Sequence, residues 1–300
     1  MKILLTGPTG FVGSTFIRLA LKRNHQVAGL IIPTEPIPST LPSTPALIWL
    51  RGTLETASWP EIASFKPDVC VHTAWITTPG IYLESPENEK FRDASFQFLS
   101  KVLDMGVRHV LALGTCIEYQ IQDRPLAEDS TPIAPTSTYA RCKDELRRAL
   151  EAETKTRDFS FCWGRVFYPY GPGEHPSRLC SSIIQKLRQG EKIILKTPHS
   201  LKDYIYIEDL AEALLTVMEK GFRGNINLAT GEGTTVIAIA RALAELMGNP
   251  DLIEDAAKPE RDPFPFVVAD ATRLKSLGWR PKVAIQEGLR RLVAAQVTKP

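Results

Sequence analysis

The stretch Met1–Gly13, MKILLTGPTGFVG, decides how the rest of the chain is read. KILLT is a short apolar run with strand character, and it leads straight into Gly7, Gly10 and Gly13. Residues 11–23 then carry Phe11, Val12, Phe16, Leu19 and Ala20 at helical spacing. Glycines at a joint between strand and helix permit a tight turn, let a pyrophosphate approach the backbone, and let the helix pack closely on the strand. The helix N-terminus adds free N–H groups and the positive end of a dipole, both suited to phosphate. The same spacing also serves a plain turn. Its place on the first strand of an alternating strand–helix pattern is what favours a ligand.

Working outward, QVAGLII (26–32), LIWL (47–50), DVCVH (68–72) and HVLALGT (109–115) read as further buried strands. Helical stretches near 56–65 and 87–105 lie between the later ones. Continuous apolar strands separated by helices predict an α/β fold of the Rossmann-like, doubly wound parallel type, with ligands at the carboxyl ends of the strands. The Pro/Ser/Thr-rich segment 33–45 is expected to be an exposed loop. After residue 160 the texture changes: FSFCWGRVF runs into YPYGPGEHP, followed by the shorter KIIL, DYIYI and NINLA and the helix-like VIAIARALAELM. We therefore expect a dinucleotide-binding domain over 1–165, with a segment about 200–230 returning to it, and a smaller C-terminal substrate-binding lobe made mainly of 166–300.

Composition narrows the function classes. The 300 residues carry 36 basic against 34 acidic side chains, interspersed, for a net charge of +2. No basic stripe marks a nucleic-acid surface. No apolar stretch approaches the roughly 18–20 residues of a membrane span, and the N-terminus lacks the form of a signal peptide. The five cysteines are widely spaced with no CxxC pair, which reads as reduced thiols in a cytoplasmic protein without a structural zinc or other metal site.

Proton chemistry is signalled by TYARCK. Tyr139 and Lys143 stand at i and i+4, on one face of a helix. A free tyrosine titrates near pH 10, and a neighbouring lysine cation favours its phenolate. Thr115 closes the strand HVLALGT, where an open sheet presents its active site, and its hydroxyl is placed to hold a substrate oxygen. The cofactor's identity stays open. The second strand ends Leu30-Ile31-Ile32-Pro33-Thr34 with Glu35 late, and no arginine stands there, so the missing acidic discriminator leans the reading to NADP over NAD.

Together, GPTGFVG, VHTAW (71–75), GTCIEY (114–119), YARCK (139–143), RVFYPYGPG (165–173), DYIYIEDLAEA (203–213), NINLATGEG (225–233) and LGWRP (277–281) make the chain resemble the extended short-chain dehydrogenase/reductases, the nucleotide-sugar epimerase/dehydratase/reductase group. The resemblance covers essentially the whole chain. It implies a catalytic triad of Thr115, Tyr139 and Lys143, and a nucleoside diphosphate sugar as substrate. Cofactor contacts are implied at Gly7, Thr9, Gly10, Phe11, Val12, Gly13, Thr53, Leu54, Thr73, Ala74, Trp75, Tyr139, Lys143 and Val166. Substrate contacts are implied at Cys116, Tyr168, Arg178, Lys202 and Arg261, with Lys202 and Arg261 as the diphosphate cations. It also implies a homodimer formed through the helices near 87–105 and 138–154.

Departures from the group's pattern bear on the reaction. Tyr168 stands where relatives carry an asparagine, Thr53 replaces an acidic residue near the adenine, and His72 and His175 are read as non-catalytic. The dehydratases carry an Asp-Glu pair after the catalytic threonine; here Cys116 and Ile117 fill those places and Glu118 is displaced by one. Elimination needs an acid and a base, so a dehydratase is disfavoured. What the resemblance then implies is an NAD(P)H-dependent ketoreductase acting on a 4-keto-6-deoxy nucleotide sugar, with an epimerase that retains NAD as the alternative. A non-catalytic dinucleotide sensor is a third reading, opposed by the retained triad.

Overall fold

The computed structural model describes residues 1–255 and 260–297. The first half runs β1 (Lys2–Thr6), α1 (Phe11–Lys22), β2 (Gln26–Ile31), β3 (Leu47–Arg51), α2 (Trp59–Phe65), β4 (Val69–His72), α3 (Glu87–Asp104), β5 (His109–Thr115), α4 (Thr138–Glu153) and β6 (Ser160–Val166). Then follow β7 (Tyr168–Tyr170), α5 (Leu179–Arg188), β8 (Ile193–Leu195), β9 (Leu201–Tyr206), α6 (Ile207–Glu219) and β10 (Gly224–Leu228). The chain continues with β11 (Gly233–Thr235), α7 (Val236–Leu246), β12 (Ile253–Asp255), β13 (Phe266–Val267), α8 (Thr272–Ser276) and α9 (Ile285–Val297). The segment 33–45 is irregular and mostly exposed, with Leu41 turned inward.

The main sheet has the order β10-β6-β5-β4-β1-β2-β3. Neighbours from β3 through β5 run parallel, with Thr6 paired to Leu30 on one side and to His72 on the other. Strand order reverses at β1, so the crevice at the carboxyl ends of β1 and β4 is the switch point where such sheets bind ligands. β4 and β5 are buried along their whole length, which is why their centres, Val69–Val71 and Val110–Leu113, read as continuous apolar runs. Leu4, Cys70, Val110, Ala112 and Trp163 share one sheet face with Phe98, Leu99 and Val102 of α3 and Leu146 and Leu150 of α4. Each such aliphatic side chain contributes about 1.5–3 kcal/mol when taken from water.

The chain forms two compact units. The first comprises Met1–Glu118, Ile133–Arg165 and Ala211–Ile226; the second comprises Tyr119–Pro132, Val166–Leu210 and Asn227–Pro300. The boundaries differ from the sequence expectation at two places. Residues 119–132 go with the second unit, because Leu126 accepts from the Asn227 amide and its own N–H donates to Val268. β9 also stays there, paired with β7, β11 and β13, so the returning segment is shorter than 200–230. The second unit has its own core, in which Ile183, Ile184 and Leu187 of α5 meet Ala240, Leu243 and Ala244 of α7 and Leu289 and Leu292 of α9.

Candidate active site

Three glycines shape the turn after β1, each for a different reason. Gly7 has φ +68°, and a Cβ there would lie 2.8 Å from Thr73 Oγ1 and 2.9 Å from Ala74 N. Its bare backbone lets the end of β4 close on the turn, where Thr73 donates to Thr6 O at 2.7 Å and Ala74 N–H donates to Thr6 Oγ1 at 3.2 Å. At Gly13 a Cβ would lie 2.1 Å from Gly7 O, so glycine sets the approach of α1 to the strand. Gly10 is exposed, has φ −67°, and its Cβ would meet only Gly7 O, at 3.5 Å. Packing within the chain therefore gives no reason for glycine at position 10, whereas a ligand approaching the backbone does. Gly10 also caps α1 without a side-chain bond, and no acidic residue stands in the first turn, so these N–H groups suit an anion. The residues present fit the pyrophosphate of a dinucleotide.

The end of β2 revises the cofactor reading. Glu35, late in sequence, folds back so that Thr9 Oγ1 donates to its carboxylate at 2.5 Å. Arg51 Nη1 holds this segment through the carbonyls of Ile32, Pro33 and Glu35, the last at 2.7 Å. An acidic side chain thus stands at the glycine turn after all, and the lean to NADP loses its basis. Thr53 spends its hydroxyl on the N–H groups of Glu55 and Thr56, and Leu54 packs against the core.

Tyr139 and Lys143 share the inner face of α4, whose first turn is capped by Ser137 accepting from Ala140 N–H. Both are buried. Lys143 Nζ donates to Leu113 O of β5 at 2.7 Å and lies 3.8 Å from the centre of the Trp75 ring. Burial pushes its ammonium down to about 7, while the negative charge of Glu118 opposes the fall. Tyr139 packs edge-on against Tyr82 at 4.9 Å and Trp75 at 6.5 Å. Trp75 is held in turn by Asn88, which accepts from its Nε1 at 2.8 Å and donates to Tyr82 O and Ser85 O. Thr115 is buried at the end of β5, two residues beyond the carbonyl that Lys143 holds.

Sequence reasoning did not find Tyr82 or Asn88. The aromatic pair with Tyr139 is visible only in three dimensions, and a polar residue opening a helix signals nothing on its own. Glu118, one position past the place of the dehydratase pair, faces away from solvent. It is fully buried, accepting from Thr115 N–H, Trp163 and Arg165. His72 is structural, bonded to Thr6 and Ser95 and pushed down to about 3 chiefly by burial. Cys116 is buried beside Thr115, and burial raises the Cys70, Cys162 and Cys180 thiols above the ordinary range.

In the second unit, Tyr168 is half-buried, opposite Tyr204 of β9 and 5.6 Å from Lys202 Nζ. Lys202 is not a surface cation. It is 6% exposed, pairs with Asp262 at 2.8 Å and donates to Phe264 O. Asp203 does not pair with it; that carboxylate accepts from Thr230, Gly231 and Ala269. Arg178 precedes α5 near the buried Glu174, Arg261 is exposed, and Pro259 of the PERDP motif lies outside the described residues. Among the described residues no His/Cys/Asp/Glu group is arranged for a metal ion, and no helix is long and apolar enough to cross a membrane.

A model of the NAD dependent epimerase/dehydratase family matches residues 3–229. The chain belongs to this family. Among curated relatives it is similar to the low-salt glycan biosynthesis protein Agl12 of Haloferax volcanii, 25% identical over 96% of both chains. GDP-L-fucose synthase 1 of Arabidopsis thaliana is 24% identical over 96% of this chain and 90% of its own. Among solved structures, UDP-glucose 4-epimerase of Thermus thermophilus in complex with NAD superposes with a TM-score of 0.83 at 25% identity, covering 100% of both chains. The UDP-glucose 4-epimerase of Thermotoga maritima, at 24% identity and a TM-score of 0.86, shares the fold over 99% of both chains.

Proposed function

We propose that the protein moves a hydride between a nicotinamide dinucleotide and a sugar carbon of a nucleoside diphosphate sugar, in the direction of keto-group reduction. One observation carries the reading: a buried lysine ammonium and a tyrosine share one helix face at the end of β5, with Trp75 packed against both. The dinucleotide, when bound, supplies the hydride. Gly7, Gly10, Gly13 and the α1 N-terminus would hold its pyrophosphate, and Glu35 would accept from a ribose hydroxyl, which favours NAD. Tyr139 Oη gives its proton to the sugar oxygen, and the Thr115 hydroxyl orients that oxygen. Lys143 keeps positive charge beside the phenol, favouring the phenolate left behind. Trp75, clamped by Asn88, shields Lys143 from water and stabilises its charge through the ring face. In the second unit, Tyr168, Arg178, Lys202 and Arg261 remain our assignments for substrate contacts, with Arg261 the exposed cation for the diphosphate.

Relatives of this chain include dTDP-glucose 4,6-dehydratases. Elimination is disfavoured here because Cys116 and Ile117 are not acids of the needed strength and Glu118 is withdrawn into the core. A second reading, an epimerase that retains NAD and returns the hydride to the same sugar, draws on Glu35 at the glycine turn. We also carry forward a homodimer through α3 and α4, to be checked by solution mass.

The test is to denature freshly purified protein, identify the dinucleotide released, and assay the same preparation for NADH oxidation with 4-keto-6-deoxy nucleotide sugars. Little released nucleotide with substrate-dependent NADH oxidation supports the reductase. Near one NAD per chain without net oxidation supports the epimerase. Failure to bind any dinucleotide overturns both.

A further inference from the structure

We propose that Glu118 is a positioning residue for the proton-handling site: its buried carboxylate fixes the backbone at Thr115 and sets the electrostatic environment of Lys143. The inference rests on the reading above in taking Thr115 and Lys143 as working groups, and nothing about Glu118 itself touches substrate.

The geometry begins with the 3₁₀ turn Cys116–Glu118 that follows β5. It folds the chain back so that Glu118 Oε1 accepts the Thr115 N–H at 2.7 Å. The carboxylate is fully buried, and two side chains of β6 converge on it: Trp163 Nε1 at 3.0 Å and Arg165 Nε at 2.7 Å. Gly114 completes the housing, since a Cβ there would lie 2.1 Å from Trp163 Nε1 and 2.5 Å from Glu118 Oε1. A glycine, an indole and a guanidinium are thus all committed to one carboxylate at the strand end. Lys143 grips the same strand end at Leu113 O. The segment Leu113–Thr115 is held at one end by the ammonium and at the other by the carboxylate.

A buried ion pair is a poor device for stability, because desolvating both charges offsets most of their attraction. Placed here it has a more specific consequence. The Lys143 ammonium faces the Trp75 ring, Tyr139 on its own helix and His72 on β4, and burial holds His72 neutral near physiological pH. Glu118 is the negative charge that supports the ammonium. Burial pushes the Glu118 carboxyl above its ordinary range, and Arg165 opposes that push at 2.7 Å.

The experiment labels lysine side chains isotopically at Cε, assigns Lys143 by its loss in Lys143→Arg, and follows its titration by NMR in the full chain. Parent, Glu118→Gln and Glu118→Asp proteins are compared, with folding checked by circular dichroism. The proposal expects the Lys143 midpoint, near 7 in the parent, to fall by about one unit in Glu118→Gln, a tenfold change in proton affinity, and to recover in Glu118→Asp. A folded Glu118→Gln protein with an unmoved midpoint overturns it and leaves Glu118 a structural residue only. If Glu118→Gln does not fold, amide exchange at Thr115 in the parent protein carries the test. The Thr115 amide must be strongly protected from hydrogen exchange; rapid exchange there also overturns the proposal. None of these readouts needs cofactor or substrate, so a protein inactive on nucleotide sugars leaves them intact, and an active one does not rescue them.

Discussion

Alanine at Gly10 and at Gly13 separates a glycine turn that merely folds from one that binds. At Gly13 the added carbon would lie 2.1 Å from Gly7 O, 2.9 Å from Gly7 C and 3.0 Å from Pro8 Cα. All three are backbone atoms, so no side chain can move aside, and relief requires α1 to shift by about an ångström relative to β1. Overpacking of this kind costs about 1–3 kcal/mol, and in a chain of this size each kilocalorie lowers the melting temperature by about 2–4 °C. Gly13→Ala should therefore melt several degrees early and bind dinucleotide poorly. At Gly10 the same carbon meets only Gly7 O, at 3.5 Å, and φ −67° is ordinary for alanine. Gly10→Ala should keep its melting temperature in the absence of ligand. It should lose affinity for NADH by about tenfold or more, the equivalent of about 1.4 kcal/mol, because the methyl occupies space the pyrophosphate needs. The assays are thermal denaturation without ligand and NADH titration by fluorescence. Equal NADH affinity in Gly10→Ala and parent would refute the cradle reasoning, since nothing else among the described residues asks for glycine there.

Glu35→Ala should weaken NADH relative to NADPH by about tenfold, as expected on losing a charged hydrogen-bond acceptor; an unchanged ratio in competitive titration removes Glu35 from cofactor selection. The pH dependence of stability should report Lys143. Its folded value near 7 lies below the unfolded 10.5, so below about pH 7 both states hold the proton and the buried charge destabilises the fold in full. Between those values the unfolded state keeps the proton longer, so the parent should gain stability over Lys143→Met as pH rises from 7; parallel denaturation curves contradict this. Lys202→Met should lower the denaturation midpoint by the equivalent of about 3 kcal/mol, because it strips Asp262 of its cation. The same variant should raise KM for the nucleotide sugar, and an unchanged KM removes Lys202 from the substrate contacts.

The parts of the fold that follow from local periodicity were legible in the sequence. β4 and β5 are buried throughout, with apolar runs at Val69–Val71 and Val110–Leu113, because both faces of the sheet are covered, and α1 follows directly from the spacing of Phe11, Val12, Phe16, Leu19 and Ala20. Tyr139 and Lys143 were legible because a helix repeat places i and i+4 together whatever surrounds them. What sequence spacing could not carry was long-range partnership. Glu35 lies 26 residues from Thr9, and only the folding back of 32–35, pinned by Arg51, brings the carboxylate to the glycine turn. Lys202, implied as a diphosphate cation, is held by Asp262, 60 residues away. The surroundings of Glu118 were not legible, because whether a carboxylate meets solvent or an arginine is set here by β6, more than forty residues on. Domain boundaries failed similarly at 119–132, whose allegiance is decided by hydrogen bonds to Val268 and Asn227.

Hydride transfer assisted by Tyr139 is the centre of this account, and it is tested most directly with NADH carrying deuterium at both nicotinamide C4 positions. Parent and Tyr139→Phe proteins are incubated with a 4-keto-6-deoxy nucleotide sugar, and the sugar is examined by mass spectrometry. The account predicts one deuterium on the reduced sugar carbon with the parent protein, and a rate about a hundredfold lower or worse with Tyr139→Phe at unchanged NADH affinity. Reduction without deuterium, or equal rates in the two proteins, would contradict it.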